Sequence, residues 1–90
     1  MRKAAAIAAA AILGTATLAN ASSFDRPCTN ASRDKWLTVD ALQKKVEALG
    51  YMVRKGKLKN ACGEFYATDA AGARVELFVD PTNGAIVGKL

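Results

Sequence analysis

Two pairs of side chains in this sequence could carry chemistry: the glutamates Glu64 and Glu76 and the cysteines Cys28 and Cys62. Two carboxyls on one face of a sheet can act as general acid and general base. That chemistry needs a cleft that shifts the pKa of one carboxyl, and a chain of 90 residues has little material to build one. The sequence has no histidine, so its serines lack the usual activating base. We therefore expect no enzymatic activity and interpret both glutamates as solvated strand residues.

Residues 1–21 are typical of a cleaved signal peptide. Arg2 and Lys3 precede an uncharged, alanine-rich stretch, and Ala19-Asn20-Ala21 fits the A-x-A pattern of a cleavage site. The alternative is a retained membrane anchor, but the stretch is short and weakly apolar beside the roughly 20 residues that span a bilayer. We expect an exported, periplasmic protein, although the sequence does not distinguish the periplasm from full secretion. Cleavage removes two cations from a formal net charge of +5.

Export to an oxidising compartment predicts a disulfide between Cys28 and Cys62. The two cysteines lie far apart and form no C-x-x-C redox motif. Closing a loop of this size stabilises a small domain by about 3–4 kcal/mol in the chain-entropy model. The alternative is one free reactive thiol with the other cysteine buried. Two cysteines without histidine cannot complete a structural zinc site, and we predict neither a metal nor a cofactor.

A single helix is predicted after the leader, at residues 39–49. Its apolar residues recur at helical spacing: Val39, Leu42, Val46 and Leu49. Thr38 is a good N-cap, and Gly50 stands where a helix commonly ends in a left-handed residue. Trp36, just before the cap, is predicted to close the end of a small core rather than to stack on a ligand.

The remaining residues predict strands joined by tight turns. The first three strands are expected at 51–57, 63–68 and 74–79, with a bulge or bend at Gly56, and a fourth follows Gly84. The fold class is therefore α+β: one N-terminal helix packed on one face of a four-stranded antiparallel meander, in the order α-β-β-β-β. A disulfide-tethered segment, 22–35, precedes the domain, 36–90.

The composition of two turns fixes the register of the last three strands. The first, Asp69-Ala70-Ala71-Gly72, places Phe65 opposite Leu77 on the core side. The second, Asp80-Pro81-Thr82-Asn83-Gly84, places Leu90 opposite Val75 on the same side. Alternation assigns Cys62 to the other, outer face, whereas the segment before the helix could favour the core side. The sequence leaves that conflict open.

The outer face is the predicted partner-binding surface, because one helix can cover only one side of the sheet. It would present Glu64, Tyr66, Thr68, Arg74, Glu76, Phe78, Val87 and Lys89, with Glu76 beside both Tyr66 and Lys89. The candidate partner-binding residues among them are Glu64, Tyr66, Glu76, Phe78 and Val87. Tyr66 and Phe78 are rigid amphipathic anchors of the kind that dominate interfaces. The alternative is that the aromatic rings only shield one another across a twisted sheet.

A basic strand edge is the second candidate binding surface. It carries Arg54, Lys55, Lys57 and Lys59. These cations could bind anionic lipid headgroups, polyanions or an acidic protein surface, so any membrane association would be peripheral. We expect no nucleic acid as partner, since the stretch lacks aromatic residues for base stacking. The alternative is protection of an edge strand against aggregation, a common use of lysine.

The order of these features resembles a PepSY domain, in the small, single-domain exported form found in bacteria. The likeness runs from Trp36 to Val87 and is most specific in the pattern D-x-x-G-x-R-x-E-x-x-x-D-P-x-x-G, from Asp69 to Gly84. The resemblance implies one helix packed on an antiparallel sheet. In larger relatives such modules occur in propeptides of thermolysin-type metalloproteases and in membrane-anchored regulators, where they inhibit or modulate a peptidase by binding. The family offers no catalytic motif to transfer.

These observations together predict a non-catalytic, exported protein-binding module that modulates an exported peptidase or another exported protein. The alternative function is electrostatic binding of anionic ligands or a membrane surface through the basic edge. We expect a monomer or a weak dimer.

Overall fold

The computed structural model describes residues 24–90. The predicted signal peptide, 1–21, lies outside the described residues. The described part contains a 3₁₀ helix at Arg33–Lys35, the helix α1 at Val39–Ala48, and the strands β1 at Met52–Lys59, β2 at Cys62–Thr68, β3 at Arg74–Val79 and β4 at Ile86–Lys89. The strands form one antiparallel sheet in the order β1-β2-β3-β4. The predicted fold class is confirmed, and so is the disulfide between Cys28 and Cys62.

Helix α1 begins and ends at the residues that the sequence predicts, to within one position. The Thr38 hydroxyl oxygen accepts a hydrogen bond from the Ala41 N–H at 3.1 Å, as an N-cap does. Gly50, with a φ of +105°, follows the helix in the left-handed region. Leu42 and Val46 are fully buried, whereas Leu49 is the C-cap and is exposed.

The core lies between α1 and one face of the sheet. Its buried members are Leu42, Val46, Phe65, Ala67, Leu77 and Val79. Gly56 pairs with Phe65 across β1 and β2, and a Cβ atom at Gly56 would lie 2.4 Å from the Phe65 ring. This glycine makes room for an aromatic ring. Because Gly56 and its neighbours in β1 pair regularly with β2, the predicted bulge at Gly56 is wrong. The irregularity of β1 lies between Val53 and Lys55 instead.

The register between β2 and β3 is the predicted one. Phe65 pairs with Leu77, and the hairpin turn closes with Gly72 at a φ of +89°. The Asp69 carboxylate accepts hydrogen bonds from the N–H groups of Ala71 and Ala73, both at 2.9 Å. An aspartate at the start of a turn stabilises it in this way, which is why the composition of the turn was informative.

The register between β3 and β4 departs from the prediction after its first pair. Val79 pairs with Ile86, but Phe78 pairs with Gly88, so the chain forms a β-bulge at Val87.

Leu90 therefore lies opposite Glu76, with backbone hydrogen bonds of 3.0 and 2.9 Å, and Lys89 lies opposite Leu77. The predictions that Leu90 faces Val75 and that Lys89 lies beside Glu76 are wrong. The bulge sets a glycine instead of a valine opposite Phe78, and this leaves room on the outer face for another ring.

Trp36 packs on its own segment and not on the core. Its indole N–H donates a hydrogen bond to the Ala31 carbonyl oxygen at 3.0 Å. The Arg33 guanidinium lies 4.9 Å from the centre of the Trp36 ring, a cation–π distance. The partly buried residues packed on the core are Leu37, Val39, Tyr51, Val53, Leu58, Val75 and Ile86. The predicted role of Trp36 in closing the core is wrong.

The turn between β1 and β2 was not predicted. Asn60 and Ala61 connect the strands with φ angles of 54° and 59°. Two positive φ angles in a two-residue hairpin turn favour Asn-Gly, and alanine is an unusual second residue because its Cβ makes the left-handed region costly. The usual sequence signal is absent, so β1 was expected to end too early.

The strain at Ala61 gives a first prediction. Replacing it by glycine, Ala61→Gly, is expected to raise the free energy of unfolding by about 0.5–1 kcal/mol, because relief of the left-handed strain outweighs the added freedom of the unfolded chain. Urea unfolding of the oxidised protein measures the change. Ala71→Gly is the matched control, since Ala71 lies in a turn but is not among the positive-φ residues, and this variant should lose stability. Equal effects of the two variants would contradict the argument.

Candidate functional site on the outer face of the sheet

The face of the sheet opposite α1, called the outer face below, carries most of the side chains that the sequence analysis singled out. Alternation along the paired strands places on it Lys55, Lys57, Lys59, Cys62, Glu64, Tyr66, Arg74, Glu76 and Phe78. Of the predicted partner-binding residues, four share this face. Val87 does not join them, because it lies in the bulge of β4, where its side chain is 40% exposed.

Residues 24–28, called the strap below, cross one end of the outer face. The Cys28–Cys62 disulfide attaches the strap to β2, with a sequence separation of 34. The Cys28 N–H donates to the Ala61 carbonyl oxygen at 3.2 Å. Cys62 is therefore on the outer face, as alternation predicted. The sequence left open whether Cys62 faces outward or towards the core. It faces outward, because the segment before the helix runs across the outer face to meet it.

Phe78 is inaccessible because the strap covers it. The rings of Phe24 and Phe78 stack with centroids 4.6 Å apart and an interplanar angle of 14°. A Cβ atom at Gly88 would lie 2.4 Å from the Phe24 ring, so the ring occupies space that only a glycine leaves free. Phe78 is 0% exposed. The expectation that Phe78 is an exposed anchor is wrong, although its face is the predicted one.

The carboxyls of Glu64 and Glu76 are buried in the middle of the outer face. Glu64 pairs with Phe78 and Glu76 with Tyr66, so the two glutamates are diagonal neighbours on adjacent strands. Their exposed fractions are 1% and 6%, which corrects the interpretation of both as solvated. One oxygen of each, Oε1 of Glu64 and Oε2 of Glu76, is buried without a hydrogen-bond partner.

Burial raises the pKa of Glu76 above that of an ordinary glutamate. The adjacent charge of Glu64 acts in the same direction, whereas interaction with the Tyr66 hydroxyl and the charges of Lys57 and Lys59 oppose it. The pKa of Tyr66 is raised as well, first by burial and then by the charge of Glu76. The ionised form of Glu76 is therefore disfavoured by its surroundings, and the sequence has no histidine to act with it.

The predicted basic edge is divided between two surroundings. Lys57 pairs with Glu64 and Lys59 with Cys62 on the outer face, so these lysines offset the negative charge of the buried pair. Arg54, in the bulge of β1, and Lys55 lie at the other end of the strand. Lys55, Lys57 and Lys59 thus share the outer face of the edge strand β1, and Arg54 lies in its bulge.

A groove of about 700 Å³ opens at the end of the outer face that the strap leaves free. It is lined by Arg54, Lys55, Tyr66, Ala67, Arg74, Val75, Glu76 and Leu90. Its floor is apolar and aromatic, and its rim carries three exposed cations. Sequence reasoning missed Arg74 and Leu90 as members. Arg74 was predicted on the outer face, as the structure has it, but not as a binding residue. The position of Leu90 depends on the unpredicted bulge.

Within residues 24–90, no group of three or more cysteine, aspartate and glutamate side chains is arranged to hold a metal ion. In the same part of the chain, no helix is long and apolar enough to cross a membrane.

Comparison with protein families gives a match over nearly the whole chain. The family model PepSY, described as peptidase propeptide and YPEB domain, matches residues 3–89. Comparison with curated proteins gives no significant match, and comparison with solved structures gives none either.

The buried carboxyl of Glu76 predicts an unusual pH dependence of stability. Because its pKa is raised in the folded state, the fold gains stability from Glu76 as the pH falls towards the unfolded pKa and loses it as the pH rises through the folded pKa. Glu76→Gln is neutral at every pH. We expect the variant to be more stable than the wild type at neutral pH, and this advantage to vanish on acidification.

Urea unfolding between pH 4 and pH 8 measures this difference. Glu47→Gln, the same chemical change on the exposed surface of α1, controls for the removal of one negative charge from a cationic protein. A Glu76→Gln variant that is less stable than the wild type at neutral pH would contradict the assignment.

The strap gives a third prediction. Phe24→Ala removes the ring that covers Phe78 and should lower the free energy of unfolding by about 1–2 kcal/mol, while binding of a hydrophobic dye to the native protein increases. Phe24→Leu, which still fills part of the space above Gly88, is the graded control and should lie between. Equal stability of the alanine variant and the wild type, without dye binding, would show that the contact is dispensable.

Proposed function

The chain belongs to the PepSY family of peptidase propeptide and YPEB domains, and from this premise we propose that it is a non-catalytic, exported module that modulates a peptidase by binding it. Family members are propeptide-like or peptidase-regulating modules. The finer statement, that this protein binds an exported peptidase, is our proposal. Its site is the groove end of the outer face.

One observation carries the proposal: the outer face is only half covered. The strap, the disulfide and Phe24 close the end around Phe78, whereas the end around Tyr66 remains a groove of about 700 Å³. Clefts of roughly 300–1,000 Å³ are typical of sites that enclose a ligand or a few side chains. Tyr66 is half-buried in it and presents an aromatic ring with a polar tip, a combination enriched in interfaces.

The buried glutamates support binding over catalysis. Their carboxyls lie in the sheet surface, nine-tenths or more buried, and no second layer of structure encloses a substrate beside them in residues 24–90. A general acid and base must reach a reacting group directly or through one water molecule. Glu64, beneath the strap end of the face, offers little such access.

The proposal is tested by peptidase activity in a periplasmic extract of the producing bacterium. Added wild-type protein, purified with its disulfide intact, should change the rate at which the extract cleaves a fluorogenic casein. Tyr66→Ala should raise the protein concentration needed for a half-maximal effect at least about fivefold, because it removes the aromatic anchor of the groove.

Leu49→Ala is the matched control, since Leu49 is exposed on the opposite side of the molecule, and it should act like the wild type. Circular dichroism establishes that each variant is folded. A saturating amount of wild-type protein that alters no peptidase activity would overturn the proposal, and so would an effect that Tyr66→Ala leaves unchanged.

A further inference from the structure

Three cations on the rim of the groove form no ion pair within the described part of the chain. Arg54, Lys55 and Arg74 line it and are exposed. Within residues 24–90, the one ion pair joins Arg26 and Asp25 at the other end of the face, so the three rim cations have no carboxylate partner. Unpaired charges of one sign around a recess raise the local concentration of ligands of opposite charge.

The wall of the groove holds an unsatisfied acceptor. Glu76 is the acidic residue that lines the groove, it is 6% exposed, and its Oε2 atom has no hydrogen-bond partner. This oxygen is buried from solvent. An occupant of the groove therefore meets the three exposed cations of the rim and not the Oε2 atom of Glu76.

The floor of the groove is apolar. The Leu90 side chain and the ring of Tyr66 supply its apolar surface, whereas the side chains of Ala67 and Val75, which also line the groove, pack on the core face. Such a floor favours apolar side chains, and the recess has the size of a site for a few side chains rather than the flat surface that a membrane would contact.

We propose that this groove binds a peptide segment of a partner protein that carries acidic side chains next to an apolar one. The carboxylates pair with the rim cations Arg54, Lys55 and Arg74, and the apolar side chain lies on Tyr66 and Leu90. This inference rests on the proposed function and specifies the chemistry of the partner surface.

Three synthetic pentapeptides test the inference: Glu-Leu-Asp-Leu-Glu, its neutral amide analogue Gln-Leu-Asn-Leu-Gln, and Lys-Leu-Lys-Leu-Lys, all with blocked ends. Each is titrated into isotope-labelled protein and followed by the backbone amide signals in NMR. The acidic peptide should shift the signals of residues 54–55, 66–67 and 74–76. It should bind at least about tenfold more tightly than the neutral analogue. Its affinity should fall about tenfold between 50 and 300 mM salt, as expected for association driven by charge.

Charge reversal identifies the rim. Arg74→Glu and Arg54→Glu should each weaken binding of the acidic peptide at least about fivefold. Lys44→Glu, the same reversal on the exposed surface of α1, should leave it within about twofold after correction for net charge. If anionic lipid vesicles bind tightly and shift the same signals, while the acidic peptide shifts none of them, the peptide is not the occupant of the groove.

The outcomes separate this inference from the proposed function. If Arg74→Glu still modulates the peptidase and the neutral peptide binds as well as the acidic one, the acidic partner is wrong while the groove stands. If no peptide shifts the groove signals and Tyr66→Ala retains modulation, the groove itself is wrong and both fail.

Discussion

A helix of ten residues covers only one face of a four-stranded sheet, and the rest of the structure follows from that shortage. The covered face holds the core, in which Leu42 and Val46 meet Phe65 and Leu77. The other face must be closed by something else or stay open. The chain closes half of it with a short strap, which it fixes covalently through Cys28 and Cys62. A small domain has little apolar area to spare, so a disulfide and one aromatic stack stabilise a layer that a second helix would provide in a larger protein.

The sequence predicted correctly the features that depend on residues close together in the chain. The turns at Asp69 and Asp80 were predictable because each contains its own chemistry: an aspartate that accepts backbone N–H groups and a glycine with positive φ. The helix was predictable because its cap and its apolar spacing are also local. The Asn60-Ala61 turn was missed for the converse reason, since alanine gives no sign of the left-handed region that it adopts.

The surface was harder to predict because its decisive contacts join distant residues. The stack of Phe24 on Phe78 leaves no periodic pattern, and it depends on Gly88 standing opposite Phe78. A strict two-residue alternation set Val87 there, and a one-residue bulge changed both the partner of Glu76 and the exposure of the aromatic cluster. Alternation therefore placed Glu64, Tyr66, Glu76 and Phe78 on the correct face of the sheet, but it did not predict which half of that face is exposed.

Glu76 is a neighbour of Glu64 and also lines the groove. Its ionisation therefore links the stability of the fold to the charge in the groove. Burial and, after it, the charge of Glu64 disfavour its ionised form, and its Oε2 atom lacks a hydrogen-bond donor within the described chain. The charges of Lys57 and Lys59 act in the opposite direction and favour the ionised form. Any change in the groove that brings positive charge closer to Glu76 would favour that form further, and by linkage the ionised carboxyl would favour that change. A glutamine at this position would remove this coupling.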